Sequence, residues 1–148
     1  MGTTDPVLTS AGYLLVKAGH HIGMQFDAAL VELGLSVREY LVLGFVEASP
    51  GLSQQEVSAR LGIDPTIVVA LVDALEDRRL IVRTRDPADR RRNILAVTED
   101  GRSVHKQAIE AAAAAEADFL APLTETQREQ LHRALLAVMS PRLAWLGG

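Results

Sequence analysis

Three capping boxes divide this chain into short helices, and they constrain its fold more than any other feature. In a capping box a Ser or Thr is followed, about three residues later, by Glu or Gln, and each side chain satisfies a backbone amide at the helix start. The boxes are SVRE at 36–39, SQQE at 53–56 and TETQ at 124–127. Asp64-Pro65 and Thr98 mark two more starts, because Asp and Thr cap helices and proline is tolerated at the first helical position. The chain is therefore predicted to be mainly helical.

The helices are defined by the apolar periodicity that follows each start and by Gly34 and Gly62, which are predicted to end two of them. They are predicted over 9–33, 37–48, 54–61, 65–79, 99–120 and 125–144. Two short runs rich in β-branched residues are predicted as antiparallel strands, at 80–84 and 93–97. The fold class is therefore mainly α with a small β-hairpin, in the order α-α-α-α-β-β-α-α.

The third and fourth predicted helices are joined by LGID, a short turn containing glycine, which is the spacing of a helix-turn-helix. On a helical wheel, one side of the fourth helix is apolar and is predicted to pack on the core. That side carries Val68, Leu71, Val72 and Leu75. The N-terminal part of a recognition helix reaches base edges. The outward residues in that part are Thr66, Ile67, Val69 and Ala70.

The hairpin loop concentrates positive charge in an otherwise acidic protein. The chain carries 15 Lys and Arg against 19 Asp and Glu, a net charge of −4. Residues 78–92 hold seven of the basic residues and two acids, so this segment is net +5 and the remainder is net −9. Binding to DNA needs a local basic footprint rather than a basic composition. The loop tip, Arg90 to Arg92, is predicted to follow a phosphate backbone or enter the minor groove. Asp89 is predicted to pair with Arg91 and direct its side chain.

Residues 52–101 resemble the winged helix-turn-helix of the MarR family of bacterial transcription regulators. The resemblance rests on the L-x-x-R-x-L-I/V-x-R rhythm, the D-x-x-D-R-R wing and the T-E-x-G that opens the next helix. The flanking helices match the family in order and length. The resemblance implies a winged helix-turn-helix DNA-binding domain and a helical dimerisation region formed by the N- and C-terminal helices. The implied bounds are 36–98 for the DNA-binding domain, with the helix-turn-helix at 53–79 and the wing at 80–97, and 1–35 with 99–148 for the dimerisation region.

The resemblance also implies a homodimer that binds a pseudo-palindromic double-stranded operator. The implied function is a repressor that a small aromatic or phenolic effector releases from DNA. By position, Arg91 matches the arginine that enters the minor groove, and Asp89 matches its orienting partner. Together with the charged loop and the outward side of the fourth helix, the predicted DNA-binding residues are Ser53, Gln54, Thr66, Ile67, Val69, Ala70, Arg85, Asp89, Arg90, Arg91 and Arg92. Family members often carry Arg or Lys where this chain has Ala70, so the wing is predicted to contribute more to binding than the recognition helix.

The first predicted helix is apolar on two faces, which is typical of a helix wedged between two partners. The residues predicted to line an effector cleft, or alternatively only to pack or to lie at a rim, are Tyr13, Lys17, His20, His21, Met24 and Tyr40. Neighbouring helical residues diverge by about 100°, so His20 and His21 do not predict a metal site, and no cofactor is predicted. The last helix has an apolar stripe that a symmetric dimer would bury. The stripe consists of Leu131, Leu135, Val138 and Met139.

Several functions are disfavoured by features that the sequence lacks. The chain has no cysteine, which excludes disulfides, thiolate metal sites and cysteine nucleophiles. It has no Gly-rich phosphate loop or other recognisable catalytic motif, so it is not predicted to be an enzyme. No signal peptide or membrane span is recognised, and a cytoplasmic protein without a membrane partner is predicted. Two alternatives stay open: a winged-helix protein-interaction module that has lost DNA binding, and a DNA-binding protein without an effector.

Overall fold

The computed structural model describes residues 5–143 and confirms the mainly helical fold with one hairpin. The helices of this part are α1 (Ala11–Leu30), α2 (Val37–Ala48), α3 (Gln54–Leu61), α4 (Pro65–Asp77), α5 (Glu99–Phe119) and α6 (Glu125–Met139). A 3-10 turn occupies Val31–Leu33, and the antiparallel strands are β1 (Ile81–Arg85) and β2 (Asn93–Val97). Within these residues, no helix is both long and apolar enough to cross a membrane.

The helix starts are capped as the sequence predicts. Complete capping boxes form at Ser36, Ser53 and Thr124. The Asp64 carboxylate accepts a hydrogen bond from the Thr66 amide at 2.7 Å, and the Thr98 hydroxyl accepts one from the Gly101 amide at 2.9 Å. Side chains thus satisfy amides that the helix itself leaves without a partner. These local bonds explain why the predicted starts of α2 to α6 are correct.

The bounds of the first helix differ from the prediction of 9–33. The helix begins at Ala11, because the Ser10 side chain caps it, and it ends at Leu30. Gly34 adopts a left-handed conformation with φ of 64°, and its amide donates to the Val31 carbonyl at 2.9 Å. This short bond tightens the last turn into a 3-10 turn, which apolar periodicity does not distinguish from an α-helix.

The helix α4 ends at Asp77 rather than 79, and β1 covers 81–85 rather than 80–84. The cause is Arg79, whose φ of 59° is left-handed and turns the chain out of the helix. The helix α5 ends at Phe119 rather than 120. The helix α6 ends at Met139, and residue 144 of its predicted range lies outside the described residues.

The core lies where α2, α3, α4 and the hairpin meet, and α5 packs between this core and α1. Its largest fully buried side chains are Leu30, Val42, Leu43, Val57, Val68, Val72, Leu75, Ile81 and Leu95. The predicted apolar side of α4 supplies three of them, Val68, Val72 and Leu75, while Leu71 is half-buried. This packing turns the opposite side of α4 outward.

The start of α5 is pressed against the end of the loop before β1. A Cβ atom at Gly101 would collide with the Leu80 carbonyl oxygen and lie 2.7 Å from Val97 Cγ1. The same carbonyl accepts a hydrogen bond from the Thr98 amide at 3.1 Å. Only glycine allows this approach, so Gly101 fixes the hairpin relative to α5.

A second attachment joins the end of α4 to the end of the N-terminal helix. Arg78, the C-cap of α4, donates from Nη1 to the Gly34 carbonyl at 2.5 Å and from Nη2 to the Leu33 carbonyl at 2.8 Å. The guanidinium thereby satisfies two carbonyls at a helix end, where a cation is also favoured by the helix dipole.

Candidate nucleic-acid interface

The helix α4 presents an exposed surface near its N-terminus. Its predicted contact residues, Thr66, Ile67, Val69 and Ala70, are all exposed. Ile67 and Val69 expose 40% and 39% of their surfaces, which is high for β-branched apolar side chains on a helix whose other side is fully buried. Because the core fixes the buried side, this surface is held outward in one orientation.

The start of α3 lies beside the wing. The Ser53 hydroxyl donates to the Glu56 carboxylate at 3.0 Å and accepts from the Glu56 amide at 3.3 Å. The Gln54 side-chain oxygen accepts from Arg83 Nε at 2.6 Å, which leaves the amide group of Gln54 available to an external acceptor. Both predicted residues therefore have intramolecular roles at the start of α3 as well as a position on this surface.

Two aspartates shape the tip of the wing. The Asp86 carboxylate accepts from the Ala88 amide at 2.9 Å, and the Asp89 carboxylate accepts from the Arg91 amide at 3.0 Å. Asp89 was expected to pair with the guanidinium of Arg91; among the described residues it makes no such ion pair and binds the backbone instead. The short side chain of Asp favours this turn, because it reaches the amide two residues ahead. Asp89 thus sets the course of the loop rather than the direction of the Arg91 side chain.

The predicted DNA-binding arginines fall into two groups. The side chains of Arg90 and Arg91 are exposed and have no hydrogen bond or ion pair to another described residue. Arg92 is ion-paired with Glu56 and lies 3.9 Å from an oxygen of Asp86. The remaining member, Arg85, donates from Nη1 to the Arg90 carbonyl at 2.6 Å. Two guanidinium groups are therefore free at the tip, and two stabilise the loop that carries them.

The structure also assigns a site role to Arg83, which the sequence showed only as one basic residue of 78–92 and as the last arginine of the L-x-x-R-x-L-I/V-x-R rhythm. Its guanidinium bonds to Asp73 and Glu76 of α4 and, as noted, to Gln54 of α3. Partial burial lowers the pKa of Arg83, but the hydrogen bonds and charges of Asp73 and Glu76 outweigh burial and raise the pKa overall. In the sequence, the feature that could have indicated this role is the position of Arg83 in the strand that follows α4, whose C-terminal part carries three acids.

An open groove of about 390 Å³ separates the start of α3 from the wing. It is lined by Ser53, Gln54, Gln55, Arg91, Arg92, Asn93 and Leu95. The hydrogen bond from the Ser53 amide holds the pKa of Glu56 below its usual value, and the charge of Arg92 lowers it further. The groove therefore joins two predicted contact regions, and its polar side chains and Arg91 suit an anionic backbone.

The effector candidates of α1 form two local pairs. The Lys17 ammonium lies 5.8 Å from the centre of the Tyr13 ring, and the rings of His20 and His21 meet edge to face at 5.7 Å. Met24 is 58% exposed. The groove beside the wing contains none of these residues. Among residues 5–143, no group of His, Asp and Glu is arranged to hold a metal ion.

Tyr40 contacts a residue that the sequence analysis did not connect with it. Its ring lies 5.7 Å from that of His105 in α5, and a Cβ at Gly44 would lie 3.5 Å from His105 Nε2. Burial raises the pKa of Tyr40, and the charge of Glu116 raises it further. Burial lowers the pKa of His105. The signal for His105 was its position three residues before buried Ala108, on the same face of α5.

Both terminal helices leave apolar side chains exposed. On α1, Leu14, Leu15 and Val16 are exposed, and Val16 shows 72% of its surface. On α6, no residue is buried, and Val138 is 49% exposed. Large apolar side chains left exposed on both terminal helices point to an interaction surface there.

Comparisons with known proteins agree with this geometry. The model of the MarR family matches residues 33–92, which contain α2 to α4, β1 and the wing loop up to the start of β2. The HTH-type transcriptional repressor Rv2887 of Mycobacterium tuberculosis is 32% identical over 135 residues, which cover 91% of this chain and 96% of the repressor. Rv2887 has been crystallised with salicylic acid and with DNA.

Two solved structures from Rhodococcus are similar over almost their whole length. A MarR family regulator from Rhodococcus sp. RHA1 is 37% identical, with a TM-score of 0.81 over 88% of this chain and 92% of that protein. CouR from Rhodococcus jostii RHA1, bound to p-coumaroyl-CoA, is 35% identical, with a TM-score of 0.81 over 93% of this chain and 97% of CouR. CouR has also been solved on a 23-mer DNA duplex.

Proposed function

The chain belongs to the MarR family of transcription regulators, and from this premise we propose that it is a homodimeric, DNA-binding repressor released by a small-molecule effector. One observation carries the proposal. The wing tip, where Arg90 and Arg91 have no partner among the described residues, faces the start of α3 across the open groove, and the N-terminal part of α4 is exposed on the same domain. Duplex DNA offers the major groove, the phosphate backbone and the minor groove in that spatial order.

The proposed contacts divide by chemistry. The exposed surface of α4, from Thr66 to Ala70, enters the major groove, where its hydroxyl and methyl groups meet base edges. Ser53 and Gln54 meet a phosphate at the start of α3, where the helix dipole favours an anion. Arg90 and Arg91 reach the adjacent minor groove or its backbone. Arg85, Asp89 and Arg92 support this arrangement from within the loop.

The proposed dimer brings two such surfaces to one pseudo-palindromic operator. Residues 36–98 form the DNA-binding domain, and 1–35 with 99–148 form the dimerisation region. The exposed apolar faces of α1 and α6 support this division, because a second copy would remove them from water. In a two-fold dimer the half-sites lie about 34 Å apart, one turn of the double helix.

The proposed effector is a small aromatic compound, and the regulator acts in the cytoplasm without catalysing a reaction. Structures of the relatives contain p-coumaroyl-CoA and salicylic acid, both of which carry an aromatic ring. Five of the candidate residues lie on α1, which belongs to the proposed dimerisation region, and the sixth, Tyr40, lies on α2. A ligand bound there would alter how the dimer positions its recognition helices. His105 joins this set through its contact with Tyr40.

A second candidate function is a protein-interaction module that has lost DNA binding. The observation that favours it is the composition of α4, where 65–77 contains three acids and no basic residue. The unpaired arginines of the wing oppose it, because such a module has no need of free guanidinium groups at this tip. We therefore rank DNA binding first.

Footprinting on DNA fragments selected by the protein tests the function directly. We expect protection of two related half-sites, centred about one helical turn apart. The affinity for the protected duplex should fall with salt by about 10³-fold or more between roughly 50 and 200 mM, because several phosphate contacts release counterions. An absent or flat response at low salt would favour the interaction module.

Release of the protein from the same duplex tests whether an aromatic compound is the effector. Salicylate and p-coumaroyl-CoA, added to the bound complex, should release the DNA, and free CoA serves as the control that lacks the p-coumaroyl group. If neither compound changes DNA binding and calorimetry detects no binding of either, the regulator works without an aromatic effector of these classes.

A further inference from the structure

We propose that Arg83 is a positioning residue of the DNA-binding surface, which joins α3, α4 and the wing and covers two carboxylates of the recognition helix. This inference rests on the proposed DNA-binding function and goes beyond it, because Arg83 itself contacts no DNA. The arginines of the wing tip contact the DNA, whereas Arg83 reduces the repulsion between the acidic residues of the recognition helix and the phosphates.

The geometry uses every nitrogen of the guanidinium. Nε donates to Gln54 Oε1 at 2.6 Å, Nη1 bonds to Glu76, and Nη2 bonds to Asp73. The backbone amide of Arg83 also donates to Glu76 at 3.2 Å. One side chain of β1 is thus bonded to both helices of the helix-turn-helix, which fixes the wing relative to them.

The charges explain why this position needs a cation. Asp73 lies about one helical turn beyond Ala70 on the outward side of α4, and its side chain is 56% exposed. Glu76 follows within the same turn, and its side chain is 37% exposed. Two carboxylates so close to the major-groove surface would repel phosphates. The guanidinium between them, only 22% exposed itself, offsets this repulsion without facing the DNA.

The need for arginine rather than lysine follows from the three acceptors. A guanidinium presents several N–H donors in a rigid fork, so it binds three groups in fixed directions. An ammonium group supplies the charge but does not hold the same planar arrangement. We therefore expect Arg83→Lys to keep the electrostatic cover and to loosen the attachment of the wing.

The test measures binding of the full-length protein to its protected duplex by fluorescence anisotropy. Arg83→Met removes the charge and keeps the length of the side chain, and we expect about tenfold weaker binding from the uncovered carboxylates. Arg102→Met is the matched control. Arg102 also lies near a carboxylate, at 4.0 Å from Glu47, and donates from Nη1 to the Val97 carbonyl of β2 at 3.0 Å, but it lies on α5 and bonds to neither helix of the helix-turn-helix. Its replacement should leave the affinity unchanged.

A rescue separates electrostatic cover from a purely structural role. Adding Asp73→Asn and Glu76→Gln to Arg83→Met should restore the affinity to within about threefold of the wild type, because the partners are coupled. A folded Arg83→Met protein that binds like the wild type, or a triple variant without rescue, overturns the proposal. A wild-type protein that binds no duplex overturns the proposed function as well, so the two failures are distinguishable.

The rescue pair also serves alone, in case Arg83→Met fails to fold. Asp73→Asn with Glu76→Gln removes two negative charges beside the recognition surface while Arg83 stays, so binding should become tighter. Unchanged affinity in this double variant would overturn the proposal without reference to Arg83→Met.

Discussion

Replacing Arg91 with alanine should separate DNA affinity from folding stability. The Arg91 side chain has no partner among the described residues, so the folded protein loses no intramolecular bond when it is removed. Arg92 is the matched comparison, because its guanidinium binds Glu56 and, at 3.3 Å, the Gly51 carbonyl. Arg92→Ala should therefore lower stability as well as affinity.

The expected loss of DNA affinity for Arg91→Ala is doubled in free energy by the symmetry of the proposed dimer, because each half-site loses one arginine. An arginine contact in a groove contributes about 1–3 kcal/mol, and two copies at about 2 kcal/mol each make about 4 kcal/mol, or roughly 700-fold in Kd. Thr66→Ala removes one hydroxyl contact, at about 1 kcal/mol per half-site, or roughly 30-fold for the dimer. The wing should therefore outrank the recognition helix.

Anisotropy titrations of the protected duplex at one fixed salt concentration, with thermal melts of the same samples, measure both quantities. The expected result is a large rise in Kd for Arg91→Ala with a change in stability within about 0.5 kcal/mol, as for an ordinary surface substitution. A larger loss of affinity for Thr66→Ala than for Arg91→Ala would refute the reasoning. So would a fall in Tm for Arg91→Ala equal to that of Arg92→Ala.

Three other features give independent predictions. Gly101→Ala should destabilise the protein by about 3 kcal/mol in urea unfolding, because the new Cβ meets the Leu80 carbonyl; unchanged stability would show that α5 can move off the hairpin. His105 has a pKa below its ordinary 6.5 in the folded protein, so the unfolded chain binds more protons just below that value and stability rises with pH across this window. His105→Gln should flatten the dependence of Tm on pH there, and an identical curve would contradict the assignment. Val138→Glu places a charge on the apolar face of α6 and should shift sedimentation from dimer to monomer, whereas a retained dimer would place the interface elsewhere.

The starts of α2 to α6 and the ends of α2 and α3 were predictable from the sequence, whereas the start of α1 and the other helix ends were not. The starts depend on side chains such as Ser53 and Thr98, which bond to amides within the next turn, so a few letters suffice. The end of α4 depends on the left-handed conformation of Arg79, a residue type with no preference for it. The Arg79 carbonyl there accepts a hydrogen bond from the Thr98 hydroxyl at 2.7 Å, a contact that no local pattern reveals.

The candidate site shows the same limit. The sequence identified the charged loop and the exposed side of α4, because charge and periodicity are local. The resemblance singled out Arg91, but the sequence did not reveal that Arg92 is paired, and it did not place Arg83 among the site residues. A partner such as Glu56 or Asp73 comes from a different element, so only the folded arrangement assigns it.

The bonds from Arg78 make a joint between the N-terminal helix and α4. Its guanidinium holds two consecutive carbonyls, those of Leu33 and Gly34, and a fork with two acceptors resists rotation more than a single bond does. A change in the tilt of α1 therefore carries the end of the recognition helix with it. In the proposed dimer, a ligand that changed the tilt of α1 would therefore change the spacing between the two recognition helices.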